Sequence, residues 1–152
     1  MTVTLVCIGK TTEKYVFEGM HIYTRRLAHY CRFNLIEVES GKGSEIEIRK
    51  KESDILLNKI ENKDVLILLD EKGKEFTSAE FAKAISNQQN ISTKNLVFVI
   101  GGAYGFSEEV YKRANLKMAL SKMTFPHQLV RVLFLEQLYR AFTILKGEKY
   151  HH

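Results

Sequence analysis

Two runs in this chain are apolar at almost every position. Asp64–Leu69 reads Asp-Val-Leu-Ile-Leu-Leu and Asn95–Ile100 reads Asn-Leu-Val-Phe-Val-Ile. A strand with one wet face alternates polar and apolar residues. These two do not alternate, so as strands both of their faces must be covered. Three further runs, Thr2–Ile8, Phe33–Val38 and Lys117–Ser121, complete a set of five candidate strands.

Helical patterns fill the gaps. Tyr15, Gly19, Tyr23, Leu27 and Tyr30 recur every three or four residues. Glu45–Ile60 opens with Glu45/Arg49 and Glu47/Lys51 pairs at i,i+4 spacing. Thr77-Ser78-Ala79-Glu80 is a capping box for a helix reaching about Gln88. Ser107 followed by Glu108 and Glu109 starts another, and a last helix spans about His127 to Lys146, with Gly147 to end it. Strands alternating with helices predict an α/β fold, a mainly parallel sheet flanked by helices. The 152 residues make one domain, 1–152, large enough to hold its core without disulfide or metal. Ligands in such sheets bind outside the strands' carboxyl ends, so the loops after the third, fourth and fifth strands are the places to look.

The formal charge of +5 is unevenly placed. Residues 111–152 hold eight basic and two acidic residues, a balance of +6, which leaves −1 for residues 1–110. A basic segment on a near-neutral body points to a polyanionic partner, against the plain alternative of lysines and arginines solvating helix faces. No apolar run approaches a membrane span, and Met1–Gly9 is too short and uncharged for a secretory leader. Cys7 and Cys31 fit no metal or redox spacing and read as reduced thiols of a cytoplasmic protein; no metal site is expected.

Several loops invite a nucleotide reading. Gly9-Lys10-Thr11 resembles the end of a phosphate-binding loop, but the earlier glycine such a loop needs falls on Thr4, inside a strand. Asp70-Glu71-Lys72-Gly73 resembles the DxxG of GTP-binding proteins, without a base-reading partner motif. Gly101-Gly102-Ala103-Tyr104-Gly105 is stronger, because glycines between a buried strand and a helix let backbone approach a ligand. Ser121–His127 carries the only proline, Pro126, which favours an extended connection. Its main-chain groups could meet a flat heterocycle, or simply form a rigid strand-to-helix link.

The last helix is apolar on two sides. Val130, Leu133, Phe134, Leu138, Ala141, Ile144 and Leu145 share one face. Val132, Leu135, Tyr139 and Phe142 share another, interleaved with Arg131 and Lys146. One stripe docks on the sheet; the second predicts a homodimer, or else burial within the chain.

Four segments together are recognisable: Ile100-Gly101-Gly102, Ser121 through Val132, Glu136-Gln137-Leu138-Tyr139-Arg140-Ala141, and Tyr150-His151. In these the chain resembles the ribosomal large-subunit methyltransferase H family, of the SPOUT class, over its whole length and most specifically over 96–151. The resemblance implies a C-terminal trefoil knot, a homodimer, and S-adenosylmethionine as cofactor. It implies methylation of N3 of a pseudouridine in large-subunit (23S) ribosomal RNA, acting on assembled ribosomes. By motif, it implies cofactor binding by Leu69, Gly101, Gly102, Leu120, Ser121, Lys122, Met123, Thr124 and Phe125. Two departures stand out: Ala103 where the family often has proline, and His152 where it commonly ends in Lys or Arg.

Methyl transfer is an in-line displacement that needs alignment and a deprotonated nitrogen. Arg140, Tyr150 and His151 are the catalytic candidates. Arg140 would hold the anion or a phosphate, and histidine's ordinary basicity suits proton acceptance. His127 reads as structural. The alternative is a non-catalytic ribosome- or RNA-binding module using the basic C-terminal third.

Overall fold

The structure is a computed structural model that describes all residues, Met1–His152. The chain runs β1 (Thr2–Ile8), α1 (Lys14–Leu27), β2 (Arg32–Val38), α2 (Glu45–Lys59), β3 (Val65–Glu75), α3 (Ser78–Asn90), β4 (Asn95–Ile100), α4 (Glu108–Arg113), β5 (Leu116–Ala119) and α5 (Leu129–Leu145). The five strands form one sheet in the order β2-β1-β4-β3-β5, with every pair parallel.

β1, the first half of β3 and β4 are covered on both faces, as the unbroken apolar runs of β3 and β4 require. On one side, Val3, Leu5, Cys7, Ile67, Leu96 and Phe98 pack against residues of α1, α3 and α5. On the other, Val6, Ile8, Leu66, Leu68, Val97 and Val99 meet Leu56 of α2 and Val110 of α4. Each large apolar side chain so buried contributes roughly 1.5–3 kcal/mol. The helix starts follow the expected chemistry. Ser44, Thr77 and Ser107 each accept a main-chain N–H with their hydroxyls, and Glu80 returns the bond to Thr77 to complete the box. Gly147, at φ +69°, ends α5.

Two features depart from the expectation. β3 does not stop at Leu69 but continues to Glu75 along β5. Leu69 and Lys74 both register with Met118, so Asp70–Gly73 bulges between them. Gly73 makes this possible: a Cβ there would lie 2.5 Å from the Met118 nitrogen. The second departure concerns α5. Its Val132–Tyr139–Phe142 stripe is covered by α1 of the same chain. Gly19 admits Val132, and Tyr23 and Tyr30 stack on Tyr139 and Phe142. That stripe therefore carries no argument for a dimer.

Arg131 is the more telling correction. As part of the basic segment it counts toward surface charge, yet it is fully buried. Its guanidinium donates to the Ile8 and Gly9 carbonyls (both 3.0 Å), to Thr11 Oγ1 (2.8 Å) and to Glu37 (3.3 Å). Gln128 adds bonds to the Thr12 nitrogen and the Lys10 carbonyl. The start of α5 is thereby pinned to the loop after β1.

Candidate functional site

β4, β3 and β5 are neighbours, so the three loops leaving their carboxyl ends must converge. They enclose a cavity of about 570 Å³. That volume lies within the range of small-molecule sites, roughly 300–1,000 Å³. Of the nine residues expected to bind a cofactor, eight line it: Leu69, Gly101, Gly102, Leu120, Ser121, Met123, Thr124 and Phe125. Lys122 does not; its exposed ammonium points to Glu75, 3.9 Å away.

The glycine pair is required by its surroundings. A Cβ on Gly101 would lie 2.9 Å from the Phe106 ring, itself a cavity wall. A Cβ on Gly102 would lie 2.9 Å from a Glu52 carboxylate oxygen. Glu52 is buried and accepts a bond from Ser40 Oγ at 2.7 Å. The loop is further tied by Arg49, which donates to the Tyr104 carbonyl, and by Gly105 at φ +70°.

On the opposite wall, the loop after β5 has main-chain groups to spare. Among residues 121–125 only the Met123 N–H has a partner, the Ser121 hydroxyl at 3.0 Å. The N–H groups of Ser121, Lys122, Thr124 and Phe125 are left for something else. Thr124 is anchored to Glu71 at 2.7 Å. Unpaired donors beside apolar Leu69, Leu120 and Phe125 suit a flat heterocycle with acceptors on its edge.

Sequence reasoning missed part of this wall. Asp70, read as the head of a GTPase-like motif, instead accepts a 2.6 Å bond from the Tyr111 hydroxyl. Burial first, then this bond, pushes the Tyr111 phenol up to about 12. His127, expected to be structural, also lines the cavity. The rule that ligands sit beyond strand carboxyl ends selected these loops, but no spacing pattern connects Tyr111 to Asp70.

Arg140, Tyr150 and His151 come together, but elsewhere. The tail turns at Gly147 and folds back along α5. Tyr150 donates to Glu136 at 3.0 Å, and its ring lies under the Arg140 guanidinium, 4.8 Å to the centroid. His151 Nδ1 lies 3.5 Å from Arg140 Nη1. Burial, with bonds to Tyr23 and Glu136, holds the Tyr150 phenol above the ordinary tyrosine range, so it is a donor and not a base. Glu136 keeps Arg140 cationic. None of the three lines the cavity. Arg140 is ten residues along α5 from the cavity residue Val130, about 15 Å at 1.5 Å per residue.

The model described as "Predicted SPOUT methyltransferase" matches residues 1–151, which places the chain among the SPOUT methyltransferases. A protein of Cytophaga hutchinsonii named ribosomal RNA large subunit methyltransferase H is 52% identical over all of this chain and all of its own length. One of the same name from Christiangramia forsetii is 51% identical over 100% of this chain and 99% of its own. The chain belongs to the ribosomal RNA large subunit methyltransferase H family. Among solved structures, the SpoU methyltransferase AviRb from Streptomyces viridochromogenes aligns at TM-score 0.47 and 12% identity, over 96% of this chain and 58% of that one.

Proposed function

We propose that the protein methylates N3 of a pseudouridine in large-subunit ribosomal RNA on assembled ribosomes, using S-adenosylmethionine, as a cytoplasmic homodimer. The observation that carries this is one cavity built from the Gly101-Gly102 loop and the unpaired main chain of 121–125, in a chain about half identical to ribosomal RNA methyltransferases. When bound there, S-adenosylmethionine supplies an electrophilic methyl group. Main-chain donors of 121–125 would hold its adenine beside Leu69 and Leu120, and Gly101 and Gly102 would leave room for the amino-acid tail. Lys122 contributes its backbone only.

The remaining work is to align the target base and remove the N3 proton. His151 takes that proton. Arg140 holds the developing anion, and the Tyr150 ring, stacked under its guanidinium, positions it. Because these groups sit about 15 Å along α5 from the cavity, a second copy of the chain must bring them to it. A half-buried stripe on α5, Leu129, Leu133, Glu136 and Arg140, offers the surface for that copy. Exposed Tyr15, Phe17 and Ile22 on α1 add apolar area. A C-terminal trefoil knot, which membership of this family implies, is part of the same proposal.

The test is direct. Calorimetry with S-adenosylmethionine is expected to show binding, and labelled methyl is expected on assembled ribosomes and not on free RNA. Removal of Tyr150–His152 is expected to abolish transfer and spare cofactor binding. Absence of S-adenosylmethionine binding would end the proposal.

A further inference from the structure

A second cleft, of about 320 Å³, adjoins the cofactor cavity. Lys72 and Tyr111 border both; Lys74, Asn115 and Lys117 border the cleft alone. Lys72 and Tyr111 thus form the boundary that the two spaces share.

The ammonium groups of this cleft form no ion pair, although the Glu80 carboxylate and Lys74 attract each other at longer range. None of Lys72, Lys74 and Lys117 has a carboxylate within 4 Å, although nine other basic side chains do. Two rest on aromatic faces instead. Lys74 Nζ lies 4.9 Å from the Phe76 centroid, and Lys117 Nζ lies 5.4 Å from that of Tyr111. Such contacts steady an ammonium without neutralising it. The nearby acids are committed. Asp70 accepts from Tyr111 and the Lys72 nitrogen, Glu71 from Thr124, and Glu75 faces Lys122. Glu80 closes the Thr77 box. Asn115 presents its acceptor inward, to the Leu66 nitrogen and Arg113, and its two amide donors have no partner.

Three free ammonium groups and a free amide, arrayed on an exposed edge beside a methyl-transfer cavity, match an anion with several oxygens along a chain. We propose that this cleft seats backbone phosphates of the substrate RNA flanking the target nucleotide, an inference that rests on the methyltransferase reading above. Two of its lysines, Lys72 and Lys74, come from the last residues of β3, outside the basic C-terminal segment. Within that segment Arg131 is buried, Arg140 is paired with Glu136, and Arg113 donates to the Glu61 and Asp64 carbonyls. The fold, and not the sequence segment, assembles the basic surface.

The test uses Lys74→Gln/Lys117→Gln, at exposed positions outside the cofactor cavity, and assembled ribosomes as the probe. Expected are a KM for ribosomes raised at least tenfold and unchanged kcat and S-adenosylmethionine affinity. Each lost phosphate contact flattens the plot of log affinity against log salt by roughly 0.7–0.9, so the pair should flatten it by about 1.5. Lys74→Arg/Lys117→Arg is expected to restore both. Single Lys74→Gln, read the same way, serves should the double variant be unfolded. Unchanged KM and salt slope in a folded variant would overturn the proposal. So would loss of self-association with RNA binding intact, which would make the cleft a protein interface. Wild-type protein that transfers no methyl to ribosomes would fail the broader reading as well, whereas wild-type transfer with an indifferent variant fails the cleft alone.

Discussion

Gly101 and Phe106 show how little freedom the cavity wall has. The Phe106 ring fills the space a side chain at 101 would need. It also packs edge-on against Tyr111, 5.8 Å between centroids. Gly101→Ala therefore has to displace an aromatic wall. The expected outcome in calorimetry is S-adenosylmethionine affinity lowered at least tenfold, with the melting transition of the free protein little changed. Tyr111 makes a prediction of opposite kind, about pH. Its folded pKa of about 12 exceeds the ordinary 10.0, through burial and then the Asp70 bond. Below pH 10 the phenol is neutral in folded and unfolded chains alike, and its stabilising contribution is complete. Between about 10 and 12 the unfolded chain ionises first, so that contribution is lost as pH rises. Chemical denaturation of Tyr111→Phe is expected to show a shallower loss of stability across that window than the parent.

At the scale of elements, the governing interaction is the clamp between the start of α5 and the end of β1. The carbonyls of Ile8, the last residue of β1, and of Gly9 after it need donors, and Arg131 supplies them from more than 120 residues along the chain. Arg131→Met keeps much of the volume but strands these carbonyls and Glu37. Breaking such a buried charged network costs about 3 kcal/mol or more. Because the clamp also fixes the far end of the 121–128 loop, cofactor affinity is expected to fall with stability. Urea titration and calorimetry on the same variant check both. This residue also marks the limit of what the sequence reveals. β1 and β4 were legible to the residue, β4 as a nearly unbroken apolar run and β1 as one interrupted only by Thr2 and Thr4. The capping box at Thr77 was legible because its partners are three residues apart. The continuation of β3 through Asp70–Glu75 was not, since those charged residues are held in strand by β5, over forty residues later. Eight cavity residues were legible through motif and the sheet-edge rule. Lys122 stands outside the cavity lining, because a loop's backbone and side chains can face different ways.

Over the whole molecule, the cavity and the Arg140–Tyr150–His151 cluster occupy different ends of α5. A site that needs both therefore needs two chains in an isologous arrangement. Complementation gives this a sharp form. Gly101→Val, damaged in the cavity, and Arg140→Ala, damaged in the cluster, are each expected to be inactive. Mixed through unfolding and refolding, they should recover about a quarter of wild-type activity, because half the dimers are mixed and each of those holds one intact site. No recovery, with mixed dimers shown to form, would place the whole site within one chain. Sedimentation of the wild-type protein at micromolar concentration is expected to show the dimer.

The placement of β5 has a consequence for when this protein exists at all. Domains assemble from the amino end as a chain is synthesised. Here β3 and β4, made early, carry two walls of the cavity, but the third belongs to residues 118–130. The clamp at Arg131 and the tail at Tyr150 come later still. A nascent chain can build most of its sheet while having no pocket, no clamp and no tail. Its site appears only as the last stretch is released, so a truncated or stalled product is an inert one.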